Sequence, residues 1–105
     1  MKGTVLEMKK CPYIKLKSNV DIHIIQFDKV VCVSTANHNY SITIETVANK
    51  YNFSLSNPVA AMILDEYEGW VAQIAKGEHA VCFNFNKVAD IIIKNLDYYM
   101  STWEN

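Results

Sequence analysis

The chain has 105 residues, 50% of them hydrophobic and 20% charged, with a net charge of −1. This is the composition of one folded domain over residues 1–105, not of a disordered or fibrous chain. All ten basic residues are Lys and the pI is near 6.3, which argues against nucleic acid, because Arg supplies the bidentate contacts to phosphate and guanine.

Apolar residues alternate with a period of two as far as Asn57-Pro58, and recur at three and four beyond it. The first predicted strand is Thr4 to Met8. Pro12 cannot donate to a ladder, so it should begin a strand or lie at an edge. A three-residue loop, Lys17-Ser18-Asn19, pairs Leu16 with Val20 and Ile14 with Ile22, and Asn19 tolerates the left-handed position. A two-residue turn at Asp28-Lys29 pairs Phe27 with Val30 and Ile24 with Val33. A four-residue loop from Ala36 to Asn39 pairs Val33 with Ile42 and Val31 with Ile44. These loops agree on one core face: Ile14, Leu16, Val20, Ile22, Ile24, Val31, Val33, Tyr40, Ile42 and Ile44. The opposite face carries a polar row, Tyr13, His23, Ser34 and Ser41, and an apolar patch of Ile25, Phe27, Val30 and Cys32.

Val47, Tyr51 and Leu55, spaced by four, suggest a short helix or turn. A stronger helix starts with Asn57 as N-cap and Pro58 at the first helical position, carries the stripe Val59, Ile63, Tyr67, Trp70, Val71 and Ile74, and ends at Gly77 after Lys76. Gly69 inside it suggests close packing. Val81, Phe83 and Phe85 alternate, so 80–85 reads as one more strand. Asn84 or Asn86 then caps a last helix to about Trp103, with stripe Val88, Ile91, Ile92, Leu96, Tyr99 and Trp103. Ile93 and Met100 widen its apolar arc beyond what a one-sided helix needs.

Charge is uneven along the chain. Residues 1–57 carry seven Lys against four acids, and 58–105 carry three Lys against seven. No apolar run approaches the roughly 20 residues that span a bilayer. The N-terminus shows no hydrophobic leader, and Cys11, Cys32 and Cys82 are an odd number without CxxC spacing. Reduced thiols in a cytoplasm are the simpler expectation.

Motifs for chemistry are weak. His23, Ser34 and Tyr13 resemble a nucleophile and base, but mid-sheet Ser34 lacks an oxyanion hole, and polar residues on a solvated face are the ordinary reading. His79, Cys82, Cys11 and Cys32 do not make a zinc set, and buried thiols are the ordinary reading. Asp65, Glu66 and Glu68 lie within a turn and a half and point to different sides of a helix. They form either a solvated acidic face or a docking surface for a basic partner. Lys9, Lys10, Lys15 and Lys17 with Tyr13 make only a small basic-aromatic patch. With three glycines in all, no phosphate-cradling loop forms, and no motif identifies a family.

The expected fold is α+β: an antiparallel sheet of five to six strands, built on an N-terminal meander and packed on one face by two main α-helices. The expected function is not enzymatic and uses no cofactor or metal. It is that of a small intracellular protein-binding inhibitor, such as an immunity protein neutralising a bacterial toxin (a nuclease, for example) or a phage-type inhibitor. The expected partner surface is Ile25, Phe27, Val30, Asp65, Glu66 and Glu68. The rivals are a homodimeric small-molecule-binding or regulatory domain, joined through the outer sheet face or the last helix, and an enzyme centred on His23.

Overall fold

Among the described residues the strands form two three-stranded sheets, where one sheet of five or six was expected. The computed structural model describes residues 11–18, 21–77 and 81–98. In chain order these form β1 (Tyr13–Lys17), β2 (Ile22–Gln26), a 3-10 turn (Phe27–Lys29), β3 (Val30–Ala36), β4 (Ser41–Thr46), β5 (Lys50–Ser54), α1 (Ala60–Lys76), β6 (Cys82–Asn84) and α2 (Phe85–Lys94). The first sheet has the order β2-β1-β6 and the second β3-β4-β5. The class is α+β. The strand Thr4 to Met8, together with Asn19, Val20, His79, Tyr99, Met100 and Trp103, lies outside the described residues.

The first hairpin corrects the expected register. Ser18 N–H donates to Asp21 O at 2.8 Å, and Ser18 Oγ accepts from Asp21 N–H at 3.2 Å, so the hairpin closes between Ser18 and Asp21. Ile14 then pairs with Ile25, and Leu16 with His23. The offset from the expected pairing is three residues, an odd number, so β2 turns over. Ile25 is 5% exposed and in the core, while Ile24 is 66% and Ile22 58% exposed. The Ile24-Ile25 doublet allows either parity. The Ser18–Asp21 turn decides it.

β2 and β3 do not form a hairpin. Asp28-Lys29 lacks the residues that accept a tight mirror-image turn, and the chain instead makes the 3-10 turn. Phe27 N–H still donates to Pro12 O (3.1 Å), whereas Lys29 O accepts from Val47 N–H (3.2 Å). The turn therefore carries the chain from one sheet to the other. Next, β3 and β4 pair Val33 with Ile44 and Thr35 with Ile42, two residues from the expected register. An even offset keeps the faces, so Ile42 and Ile44 are buried and Val33 packs against them. Asn37, His38 and Asn39 hold φ of 54°, 53° and 72° in the turn, a conformation that Asn and His adopt more readily than most residues. A bulge between Val30 and Cys32 leaves Val31 exposed, and Tyr40 is exposed in the turn, so neither joins the core.

Val47, Tyr51 and Leu55 do not form a helix. Lys50–Ser54 is the strand β5, which alternates Tyr51 and Phe53 inward and pairs with β4. α1 begins at Ala60 after Val59, not at Pro58. Asn57 Oδ1 accepts from Ser56 Oγ (3.0 Å) and its carbonyl from Val59 N–H (2.8 Å), so Asn57 closes a turn instead of capping. Gly77 ends the helix in the left-handed conformation (φ 75°), its N–H reaching the carbonyls of Gln73 and Ile74. Gly69 does not serve close packing: a Cβ built there meets nothing within 4 Å.

β6 lies parallel to β1 and pairs Cys82 with Tyr13, Phe83 with Ile14, and Asn84 with Lys15. Asn84 then caps α2, accepting from Lys87 N–H at 3.1 Å. Where β6 has become helix, the Asn86 amide continues the ladder. Its Oδ1 accepts from Lys17 N–H (2.7 Å) and its Nδ2 donates to Lys17 O (3.0 Å). Both sheets and both helices enclose one core, with Ile14, Leu16, Ile42, Ile44, Val59, Ile63, Phe85 and Ile92 fully buried. Each such side chain contributes roughly 1.5–3 kcal/mol of transfer free energy.

Candidate protein-docking groove

α1 lies against β3 and leaves a groove between them. Phe27, Val30, Val33, Leu64, Tyr67 and Val71 form its apolar lining, with Val31, Cys32 and Glu68 around them, and its volume is about 400 Å³. The sequence builds this groove in three steps. The 3-10 turn sends Phe27 edge-on into Trp70, with centroids 5.5 Å apart and planes at 81°. The bulge at Val31 separates Val30 and Cys32 along β3. On α1, Leu64, Tyr67 and Val71 recur at three and four, so they share one side of the helix.

Tyr67 is central to the site. Its ring meets Trp70 at 5.9 Å, Phe83 at 5.4 Å and Phe85 at 5.7 Å, and Phe83 and Phe85 meet each other edge-on at 4.9 Å. Burial among these rings pushes the Tyr67 hydroxyl up from 10.0 to about 12. The groove thus borders a cluster of packed aromatic rings, to which Phe27 and Tyr67 belong.

The six expected partner residues divide. Phe27, Val30 and Glu68 line the groove. Ile25 does not join them, because the turned-over β2 places it in the core. Asp65 and Glu66 are exposed on α1, and Glu66 borders a separate depression beside Gly69, Trp70 and Lys87. So one apolar turn, one strand start and one acid come together, while the other two acids extend the charge along the helix.

The other constellations disperse. His23 lies on the inner face of β2, its ring 4.8 Å from that of Tyr51, while exposed Ser34 sits on β3 in the second sheet. Tyr13 points from the opposite face of the first sheet and hydrogen-bonds Cys82. That bond, the Cys82 charge and burial hold the Tyr13 hydroxyl above its usual range. Cys11 and Cys32 are exposed and Cys82 is half-buried, so these are not the buried thiols expected. Among the described residues no three His, Cys, Asp or Glu side chains gather to hold a metal ion. Lys15 and Lys17 stand opposite Ile24 and Ile22. A polar cleft of about 480 Å³ lies between the sheets, lined by Lys17, Ser18, Asn52, Phe53, Ser54 and Asn86. Sequence reasoning missed that cleft, since it follows from the division into two sheets. Leu64 was not included in the α1 stripe, although its i, i+3, i+7 spacing with Tyr67 and Val71 was there to find.

No helix among the described residues is long and apolar enough to cross a membrane. Compared with protein-family models, curated proteins and solved structures, the chain matches none.

Proposed function

We propose that this chain works by binding another protein in the groove between β3 and α1, and that the partner is basic. The observation that carries the reading is an apolar groove, bordered by packed aromatic rings, next to a helix bearing exposed Asp65, Glu66 and Glu68. Interfaces of this kind combine a desolvated apolar centre, where aromatic anchors contribute most, with a charged rim that speeds and orients encounter. The concrete form is a small inhibitor, such as an immunity protein that neutralises a bacterial toxin or nuclease, or a phage-type inhibitor. Occupying such a target requires surface, not chemistry, from this chain.

The test is affinity purification of the tagged chain from its native cells, followed by binding measurements with what co-elutes. A basic protein at 1:1, whose affinity falls about tenfold or more with Val71→Asp and whose association slows with salt and with Glu68→Lys, supports the reading. A partner whose affinity ignores both substitutions places the interface elsewhere. The absence of any basic protein partner refutes the proposal.

A further inference from the structure

The polar cleft of about 480 Å³ between the sheets has the size of a small-molecule site, which is roughly 300–1,000 Å³. Hydrogen bonds fix what its two amides offer. Asn52 Oδ1 accepts from Thr43 Oγ1 at 3.0 Å, and Asn86 Oδ1 accepts from Lys17 N–H at 2.7 Å. Each amide oxygen thus already serves the protein, and the amides present N–H to the cleft. Asn86 Nδ2 gives one hydrogen to Lys17 O and keeps the other, while nothing among the described residues accepts from Asn52 Nδ2. The Lys17 ammonium and the Ser54 hydroxyl likewise bond to nothing among the described residues. No carboxylate is in the lining, because Asp21 meets Ser18 through its backbone. The cleft therefore combines one cation with more donors than acceptors.

We propose that this cleft binds a small organic anion by its phosphate or carboxylate group. A charged oxygen acceptor matches free N–H and ammonium donors, and such bonds are roughly twice as strong as neutral ones. A neutral sugar would also need acceptors for its own hydroxyl hydrogens, and the cleft has few left. Asn86 stands in the first turn of α2, where the aligned peptide dipoles add to the preference for negative charge. Phe53, 9% exposed, is the one apolar residue of the lining and gives the organic part a surface to rest on. β1 runs about 13 Å from Tyr13 to Lys17 at the cleft, and α2 runs about 12 Å from Asn86 to Lys94 away from it, so the described chain neither begins nor ends there. One exposed ammonium and a few neutral donors hold a solvated ligand weakly, with a dissociation constant on the order of 1 mM. The cleft is separate from the groove between β3 and α1, and either can fail without the other.

The test is a two-dimensional NMR titration of the full chain with inorganic phosphate and, separately, with citrate. Ionic strength is held constant with chloride, and glucose serves as the neutral control. The expected result is saturable shifts of the Asn52 and Asn86 side-chain NH2 signals with phosphate, citrate or both, with a midpoint on the order of 1 mM, while glucose shifts neither. Asn52→Asp keeps the acceptor for Thr43 Oγ1 and exchanges the free donor for a carboxylate, so it should weaken binding about tenfold or more. Lys17→Met keeps the backbone bonds to Asn86 and removes the cation, and should weaken it about fivefold. Both positions are exposed, and unchanged signals from Leu64, Tyr67 and Val71 verify that each variant is folded. Three results would overturn the proposal. One is the absence of saturable shifts with either anion up to about 50 mM, well above the expected constant. Another is binding indifferent to both substitutions, which means an adventitious ion only. The third is glucose binding as well as the anions do, which makes the cleft polar but not selective for charge.

Discussion

Adjacent isoleucines in β2 give a direct test of the register. Ile25 is 5% exposed and Ile24 is 66% exposed, yet they share one strand and one residue type. Ile25→Ala removes buried methyl and methylene groups and leaves a cavity, which typically costs 2–5 kcal/mol. Ile24→Ala removes groups that water already reaches, so it loses little beyond strand propensity, on a scale spanning about 1 kcal/mol. Because propensity acts similarly on both positions of the same edge strand, it largely cancels in the comparison. The difference should be about 2–3 kcal/mol, equivalent to a shift of roughly 10–20 °C in Tm for a domain of this size. The assay is urea unfolding of both variants and the parent at low micromolar concentration, with the slope checked for constancy. Equal losses, or a larger loss for Ile24→Ala, would refute the closure between Ser18 and Asp21 and restore the three-residue alternative.

Gly69→Ala should stabilise the chain by about 0.5–1 kcal/mol, since the added Cβ meets nothing within 4 Å and Ala is the better residue in a helix interior; a raised urea midpoint checks it. Asn86→Ala removes both hydrogen bonds to the Lys17 backbone and should cost about 1–2 kcal/mol, read in the same unfolding assay. Tyr67 ionises near 12 in the folded protein against 10.0 when free, so its contribution to stability is fully present below pH 10 and is lost as pH rises towards 12. Stability should therefore fall more steeply over that window in the parent than in Tyr67→Phe, and tyrosinate absorbance of the folded parent should show one late-titrating ring that the variant lacks.

Local signals in the sequence carried well where a residue's own chemistry decides its conformation. Gly77 ends α1 because only a residue at ease with positive φ closes the helix there, and Asn84 caps α2 because its side chain reaches Lys87 N–H. The faces of β4 were legible because Ile42 and Ile44 alternate with polar Ser41, Thr43 and Glu45 without ambiguity. The face of β2 was not, because Ile22, Ile24 and Ile25 fit either parity and the closure between Ser18 and Asp21 decides between them. Assigning β2 and β3 to one sheet assumed that neighbouring strands pair. Phe27 broke that assumption by packing on Trp70 in place of serving as a hairpin end. Three of the six expected partner residues, Phe27, Val30 and Glu68, nonetheless line one groove. Phe27 and Val30 flank the point where the chain changes sheets, and Glu68 follows Tyr67 on the helix that packs there.

The parallel pairing of β6 with β1 has a consequence for how the chain acquires its structure. The second sheet is assembled from residues 30–54 alone, by two successive antiparallel contacts between neighbours in the chain. The first sheet needs Cys82–Asn84 beside Tyr13–Lys15, and Asn86 locks Lys17 across 69 residues. Such a closure carries a large loop entropy, so contacts of this span form late and slow the overall rate. On a ribosome, β3, β4 and β5 can pair while the rest of the chain is still being made. β1 waits for its second neighbour until about four-fifths of the sequence has been synthesised.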